Sequence, residues 1–343
     1  MNEFDFIDKL KRRVERKKSS ASSFPAYSSS LISGIGDDAA VISADSGKDT
    51  VVTADLLVEE IDFHRDTMRP DLLGHKALAV SLSDIAAMGA CPRWALISIG
   101  LPEEIWRSNF LDGFYDGFLK LADRYDVTLI GGDVSRTPER IVIDSIVIGE
   151  SVKGGAVFRS GAQPGDQIFV TGYLGNAAAG LRLIERGAQL LDRQSSEHAI
   201  DHLLIRQLQP EPRVGWGQLI GNKELATAMI DISDGLSSDL NHLCRASKVG
   251  ALVNASRIPI DHVVTELCGR RALDPLMLAL HGGEDFELLF TVSVENVAKL
   301  PTRVDGISIT RIGELTEAST GVRIAEGSKI WDLKPGGWEH FKG

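Results

Sequence analysis

Only three cysteines occur among the 343 residues, Cys91, Cys244 and Cys268, and they form neither a close pair nor a metal-binding spacing. A disulfide framework is therefore excluded, and a reducing compartment, the cytoplasm, is expected. No run of about 18 apolar residues is present, because the richest stretch, 77–101, is interrupted by Asp84, Pro92 and Arg93, so no membrane association is expected. Positive charge is also short: 37 Lys and Arg against 48 Asp and Glu give a formal charge of −11. That balance argues against a nucleic-acid backbone as partner, since such binding rests on basic side chains displacing counterions. Two familiar nucleotide-binding signatures are missing as well. There is no Gly-x-x-x-x-Gly-Lys-Ser/Thr loop, nor the His-Arg-Asp and Asp-Phe-Gly pair of protein kinases.

What remains is an ordinary globular composition, 43% hydrophobic and 25% charged, long enough for two cores. Residues 1–30 read as an amphipathic helix, with Phe6, Ile7, Leu10 and Val14 at helical spacing, followed by a serine-rich loop. The basic residues of that segment are mixed with acids and lack the apolar core of a secretion signal. Strand patterns follow at 40–42, 50–54, 95–99, 127–130, 141–148, 167–171, 287–292 and 308–312. Helical patterns lie at 71–88, 110–124, 176–186 and 236–246. Mixed elements throughout predict an α/β or α+β fold, with a boundary near Lys153-Gly154-Gly155 separating 31–153 from 154–343.

Acidic residues beside glycine, or at predicted element ends, carry the chemistry. Gly34-Ile35-Gly36-Asp37-Asp38-Ala39 superficially fits a dinucleotide fingerprint, but a loop precedes it and a strand follows, the reverse of what that motif needs. A tight turn with solvated carboxylates is the plainer reading of the motif alone. Asp55 follows a strand pattern. Asp84 falls on the stripe of Leu73, Ala77, Val80 and Met88, where a carboxylate turned inward needs a metal ion or an ion pair with Lys76 or an arginine. Gly131-Gly132-Asp133 ends a strand pattern, so the backbone there can approach a ligand. Asp231-Ile232-Ser233-Asp234-Gly235 opens a helix, where Ser233 or Asp234 would cap it or its free amides would take phosphate. Gly282-Gly283-Glu284-Asp285 repeats the glycine-acid design, and its interval from Asp234 nearly matches that from Asp84 to Gly132, which two such short motifs can do by coincidence. Oxygen ligands without a Cys or His cluster favour Mg²⁺ or Mn²⁺ over Zn²⁺. Magnesium held by aspartates against the phosphates of ATP would make an acidic protein a nucleotide binder.

Taken in order, Gly-Ile-Gly-Asp-Asp-Ala-Ala, Lys-Ala-Leu-Ala-Val-Ser-Leu-Ser-Asp-Ile-Ala-Ala-Met-Gly-Ala, Ile-Gly-Gly-Asp, Arg-Ser-Gly-Ala-Gln-Pro-Gly-Asp, Ile-Ser-Asp-Gly-Leu and Gly-Gly-Glu-Asp-Phe-Glu-Leu closely resemble the thiamine-monophosphate kinase family of the aminoimidazole ribonucleotide synthetase superfamily. The resemblance spans about Gly34 to Phe341. It implies a two-domain α/β fold, with an amino-terminal mixed sheet used for homodimerisation and a carboxy-terminal α/β sandwich. It also implies ATP-dependent phosphorylation of thiamine monophosphate to thiamine diphosphate by direct in-line γ-phosphoryl transfer with several Mg²⁺ ions. By matching positions, Asp38, Thr53, Asp55, Asp84, Asp133, Asp231 and Asp234 would bind metal. Gly132, Asp133, Arg159 and Ser233 would contact ATP, and Asp62, Glu284 and Trp338 would face the thiamine substrate. Asp84, Asp133 and Arg159 would act in catalysis.

The chain departs from the family's usual residues at Asp62 (histidine), Ser81 (asparagine), Ala54 (Ser or Thr), Val134-Ser135 (Thr-Thr) and Trp338 (tyrosine). Asp62 bears on substrate choice, since a carboxylate could favour the cationic thiazolium ring or signal another phosphorylated acceptor. Other superfamily members fit less well: a selenophosphate synthetase needs a reactive residue near the amino terminus, and a hydrogenase-maturation relative ends in cysteine. Aminoimidazole ribonucleotide synthetase and a non-catalytic metal-nucleotide sensor remain as alternatives.

Overall fold

The computed structural model describes residues 31–33, 37–43, 47–190, 199–271 and 273–340. The expected amino-terminal helix and serine-rich loop, with Gly34 and Gly36, lie outside them. Among the described residues two mixed sheets form, joined by helices, which is the expected α/β class.

The first sheet contains β1 (Leu31–Ser33), β2 (Ala40–Ser43), β3 (Lys48–Val58), β4 (Cys91–Leu101), β5 (Thr128–Arg136) and β6 (Val142–Val152), in the order β1-β2-β3-β6-β4-β5. Its long central strands β3 and β6 pair antiparallel along their whole length, while β5 runs parallel to β4 at the edge. Period-two alternation is clean on β6, where Ile143, Ser145 and Val147 are buried and Val142, Asp144, Ile146 and Ile148 stay partly open.

The second sheet contains β7 (Gln167–Thr171), β8 (Ala228–Ile232), β9 (Val249–Asn254), β10 (Glu287–Val292), β11 (Arg303–Val304), β12 (Ile307–Glu317), β13 (Val322–Glu326) and β14 (Lys329–Asp332). Its order is β14-β13-β9-β12-β7-β10-β8, with β11 paired to β12. Strands β7, β8 and β10 are buried at every position. The apolar run of β8 therefore has no alternation by which its sequence marks it as a strand.

Helix α1 (Pro70–Ala87) joins the two halves. It touches β3, β4 and β6 of the first sheet, β8 and β10 of the second, and the helices α2 (Phe110–Arg124) and α5 (Val214–Asn222). The expected single apolar stripe is corrected here: every residue of α1 is buried except Pro70, Asp71 and Asp84. A helix packed on all sides has no polar face to contrast with an apolar one. Glycine makes the crossings possible, since a Cβ on Gly74 would lie 1.8 Å from the carbonyl oxygen of Phe114, and one on Gly217 would lie 2.2 Å from that of Ala86.

A second correction concerns Gly131-Gly132-Asp133, which does not end β5 but lies within it. A Cβ on Gly132 would sit 1.9 Å from the carbonyl oxygen of Ile97, so glycine lets the strand continue beside β4 past a register shift. The remaining α-helices longer than four residues, α3 (Asn176–Ile184), α4 (Ala199–Leu208), α6 (Leu236–Ser247), α7 (His262–Arg271) and α8 (Pro275–His281), belong to the second half of the chain. No helix among the described residues is long and apolar enough to cross a membrane.

Candidate active site

Asp84 is the one residue in the second half of α1 that is not buried, and it faces carboxylates from three other segments. Carboxylate oxygens of Asp38, ahead of β2, of Asp84, and of Asp231, on β8, all lie within 4.8 Å of one another. These three could hold a metal ion. Their neighbours are chiefly hydroxyls: Thr53 donates to Asp84 at 2.5 Å, Ser83 to Asp231 at 2.7 Å, and Ser81 to Asp55 at 2.7 Å. Among the described residues one cation reaches the set, the Arg159 guanidinium, through paired bonds of 2.8 Å to both oxygens of Asp38.

Electrostatics follow from this crowding. Burial, then the charges of Asp55, Asp231 and Asp38, push Asp84 well above the usual carboxylate range. Asp231 is pushed well up by burial and by Asp38, while burial raises Asp55 to about 6. Burial works against the charge of Arg159, but Asp38 and Asp37 outweigh it and hold the guanidinium charged. A structural ion pair for Asp84 was one expectation. Lys76 does not supply it, because its Nζ is 2.6 Å from Glu284 Oε1 instead.

The remaining metal-site candidates are placed differently. Asp133 stands exposed on β5 opposite Ser98, in the row that continues to Asp144 and Leu56. Asp55 belongs to the adjacent row with Ser145 and Ile97, so Asp133 and Asp55 occupy opposite faces of the sheet. Asp234 is half-buried in the turn ahead of α6, beside Asp239. The expected cap by Ser233 or Asp234 is corrected: Gly235 is the N-cap, without a side-chain bond, and Asp239 accepts from the amides of Asp234 and Gly235 at 3.2 and 3.0 Å.

A cleft of 760 Å³ opens beside the acids and is lined by Asp62, Glu284 and Trp338 together with Asp55 and Ser233. The structure thus brings all three expected substrate-facing residues onto one cavity, and Asp55, which also lines it, is a charged neighbour of Asp84. Asp62 Oδ2 accepts the amide of Val58 at 2.7 Å, and burial raises its pKa. Trp338 is 54% exposed, with its backbone amide bonded to the carbonyl of Asp234. Glu284 and Phe286 hold positive φ angles of 64° and 48°, each a strain of roughly 1–3 kcal/mol for a residue with a side chain. Their amides bond to the carbonyls of Ser233 and Ile232, and Asp285 between them binds the amides of Gly175 and Ala177.

Sequence reasoning missed Gln207 and Asp239 as parts of this site, and it offered Lys76 only as a partner for Asp84. Gln207 lies on a helix with no glycine-acid motif, and Asp239 stands eight and five residues after Asp231 and Asp234, beyond the glycine-acid pattern that marks them. Only the length of α6, placing Asp239 one turn inside, could have marked it.

The family model described as AIR synthase related protein, N-terminal domain, matches residues 36–151, and that described as AIR synthase related protein, C-terminal domain, matches 163–325. Thiamine-monophosphate kinase of Bacillus subtilis (strain 168) is 38% identical over 347 residues, covering 100% of both chains. That of Escherichia coli (strain K12) is 38% identical over 315 residues, covering 90% of this chain and 91% of its own. A solved structure of AaThiL complexed with AMPPCP and TMP superposes with a TM-score of 0.83 at 32% identity, covering 99% of this chain and 97% of that one.

Proposed function

This chain belongs to the thiamine-monophosphate kinase family of AIR synthase related proteins, and on that premise we propose that it transfers the γ-phosphoryl group of ATP to thiamine monophosphate, giving thiamine diphosphate and ADP. The observation that carries the reading is that the acid cluster and the cleft lined by Asp62, Glu284 and Trp338 share a neighbour in Asp55, which lines the cleft and whose charge acts on Asp84. A nucleotide's phosphates at the first would meet a phosphorylated acceptor in the second. The relative bound to AMPPCP, a non-transferable ATP analogue, and TMP supports the same pair of substrates.

Magnesium fits the donor set, which consists of oxygen atoms, crowds carboxylates around one arginine, and offers hydroxyls but no Cys or His. Asp38, Thr53, Asp55, Asp84, Asp231 and Asp234 would hold the ions, whereas Asp133 lies across the sheet from Asp55 and is not placed to join them. Bound there, Mg²⁺ supplies the positive charge that lets two anionic phosphates approach. Arg159 contributes fixed positive charge on the nucleotide side, where Gly132 and Ser233 also lie in this reading, and its bond to Asp38 keeps it aimed. Trp338 offers an aromatic face to the cationic acceptor, and Asp62 offers a carboxylate. The acceptor monoester, with a second pKa of about 6, is largely dianionic at neutral pH, so no side chain need remove a proton. Catalysis is then a matter of positioning and charge.

Two structural units, 31–153 and 154–343, are supported by the two sheets and by the limits of the two family models. A homodimer formed through the first sheet is supported by its open face, where Val52, Ala54, Leu96, Ile146 and Ile148 are apolar and not buried. An apolar sheet face of that kind is buried by docking. Three free cysteines support a cytoplasmic setting.

The test is direct: purified protein with ATP, Mg²⁺ and thiamine monophosphate yields thiamine diphosphate and ADP in equal amounts. Failure to form either while ATP binds overturns the reading.

A further inference from the structure

Lys76 is 1% exposed in the interior of α1, and the acid cluster does not account for it. A buried ammonium persists only where partners replace its water. Its Nζ lies 2.6 Å from Glu284 Oε1 and 3.4 Å from the backbone oxygen of Asp62, so one charge ties together two segments lining the acceptor cleft. Gln207 on α4 donates to the other carboxylate oxygen, Glu284 Oε2. Glu284 is therefore gripped from both sides, by a helix that contacts the first sheet and by a helix of the second half. Its side chain remains 31% exposed toward the cleft.

We infer that Lys76 is a positioning residue for the acceptor, which fixes the Glu284 carboxylate and the turn bearing Asp62 in one geometry across the two halves of the chain. The inference rests on reading this cleft as the acceptor site. With its charge offset by Lys76, Glu284 meets the substrate as an oriented hydrogen-bond acceptor rather than as a free anion. Asp62 is then the carboxylate that answers the acceptor's positive ring. A lysine serving only the fold would be paired with an acid away from the cleft, whereas both of these partners line it.

Steady-state kinetics of Lys76→Met, Glu284→Gln and the double variant test this. Methionine fills the buried channel without charge. Lys76→Met is expected to raise the KM for thiamine monophosphate about tenfold while the KM for ATP stays within about twofold, and the double variant is expected to lose clearly less than the two single losses combined. Should Lys76→Met not fold, Gln207→Leu removes the other arm of the grip and is read the same way. An unchanged acceptor KM, equal losses for both substrates, or additive effects in the double variant overturn the inference while the unaltered chain remains active. No thiamine diphosphate from the unaltered chain overturns the functional reading, and the inference with it.

Discussion

Asp84 occupies the only opening along the buried half of α1, and its hydroxyl partner Thr53 cannot cancel its charge. Asp84→Asn keeps the shape and the bond to Thr53 but removes one charge from a crowded set. Activity under saturating ATP and Mg²⁺ should fall at least about 100-fold, a loss typical of a group that stabilises transferring charge. Without divalent cations, the same variant should melt higher than the parent in calorimetry, because repulsion among Asp38, Asp55, Asp84 and Asp231 is relieved. Asp62 poses the opposite problem, since one oxygen already holds the amide of Val58. Asp62→Asn preserves that bond and should raise the KM for the cationic acceptor several-fold, leaving that for ATP unchanged. Most of the acids were legible because they sit near glycine or at the end of a strand or helix pattern, although the structure carries Asp55 inside β3 and Asp84 inside α1. Their hydroxyl partners and the Lys76 pair were not, since they arise from contacts between residues far apart in the chain.

Glu287 opens β10 and is fully buried between Arg213 and Arg206, with Thr171 donating to it at 2.7 Å. Burial alone would favour its protonated form, but Arg213 and then Arg206 outweigh burial and lower its pKa below the usual glutamate value. The unfolded chain therefore takes up this proton first as pH falls. Stability from the triad is complete above the ordinary glutamate range and is lost as pH drops through the depressed folded value. Glu287→Gln should cost about 3–5 kcal/mol at neutral pH, and denaturant titrations across acid pH should show the gap from the parent closing. Strand β10 itself was legible to the residue, as were β7 and α2, because their patterns are bounded by turn residues. β5 was read too short, since paired glycines look like a turn until the close approach of β4 explains them. α1 was placed correctly and its surroundings misjudged, because a stripe drawn on one helix does not show how many neighbours cover it.

At the scale of the whole molecule, the first sheet has helix α1 on one face and a half-open apolar face on the other. Ile146 stands near the middle of that face, opposite Ala54 and Leu96. Ile146→Glu should convert the expected dimer to a monomer in sedimentation velocity, and a parent chain that sediments as a monomer at micromolar concentration would count against the dimer. Two sheets and their order could not be read from pattern alone, because strand pairing depends on partners distant in sequence, and β8 and β9 gave no alternating signal. What the order produces is a helix enclosed by both sheets. Amide protons in the middle of α1 should therefore exchange with heavy water only when the entire chain opens, and they should be the slowest in the molecule by mass spectrometry. The Glu284 and Phe286 amides, bonded to the carbonyls of Ser233 and Ile232, should be protected as well. One wall of the cleft would then be set for the lifetime of the folded chain, and the Lys76–Glu284 pair would hold the facing wall to it.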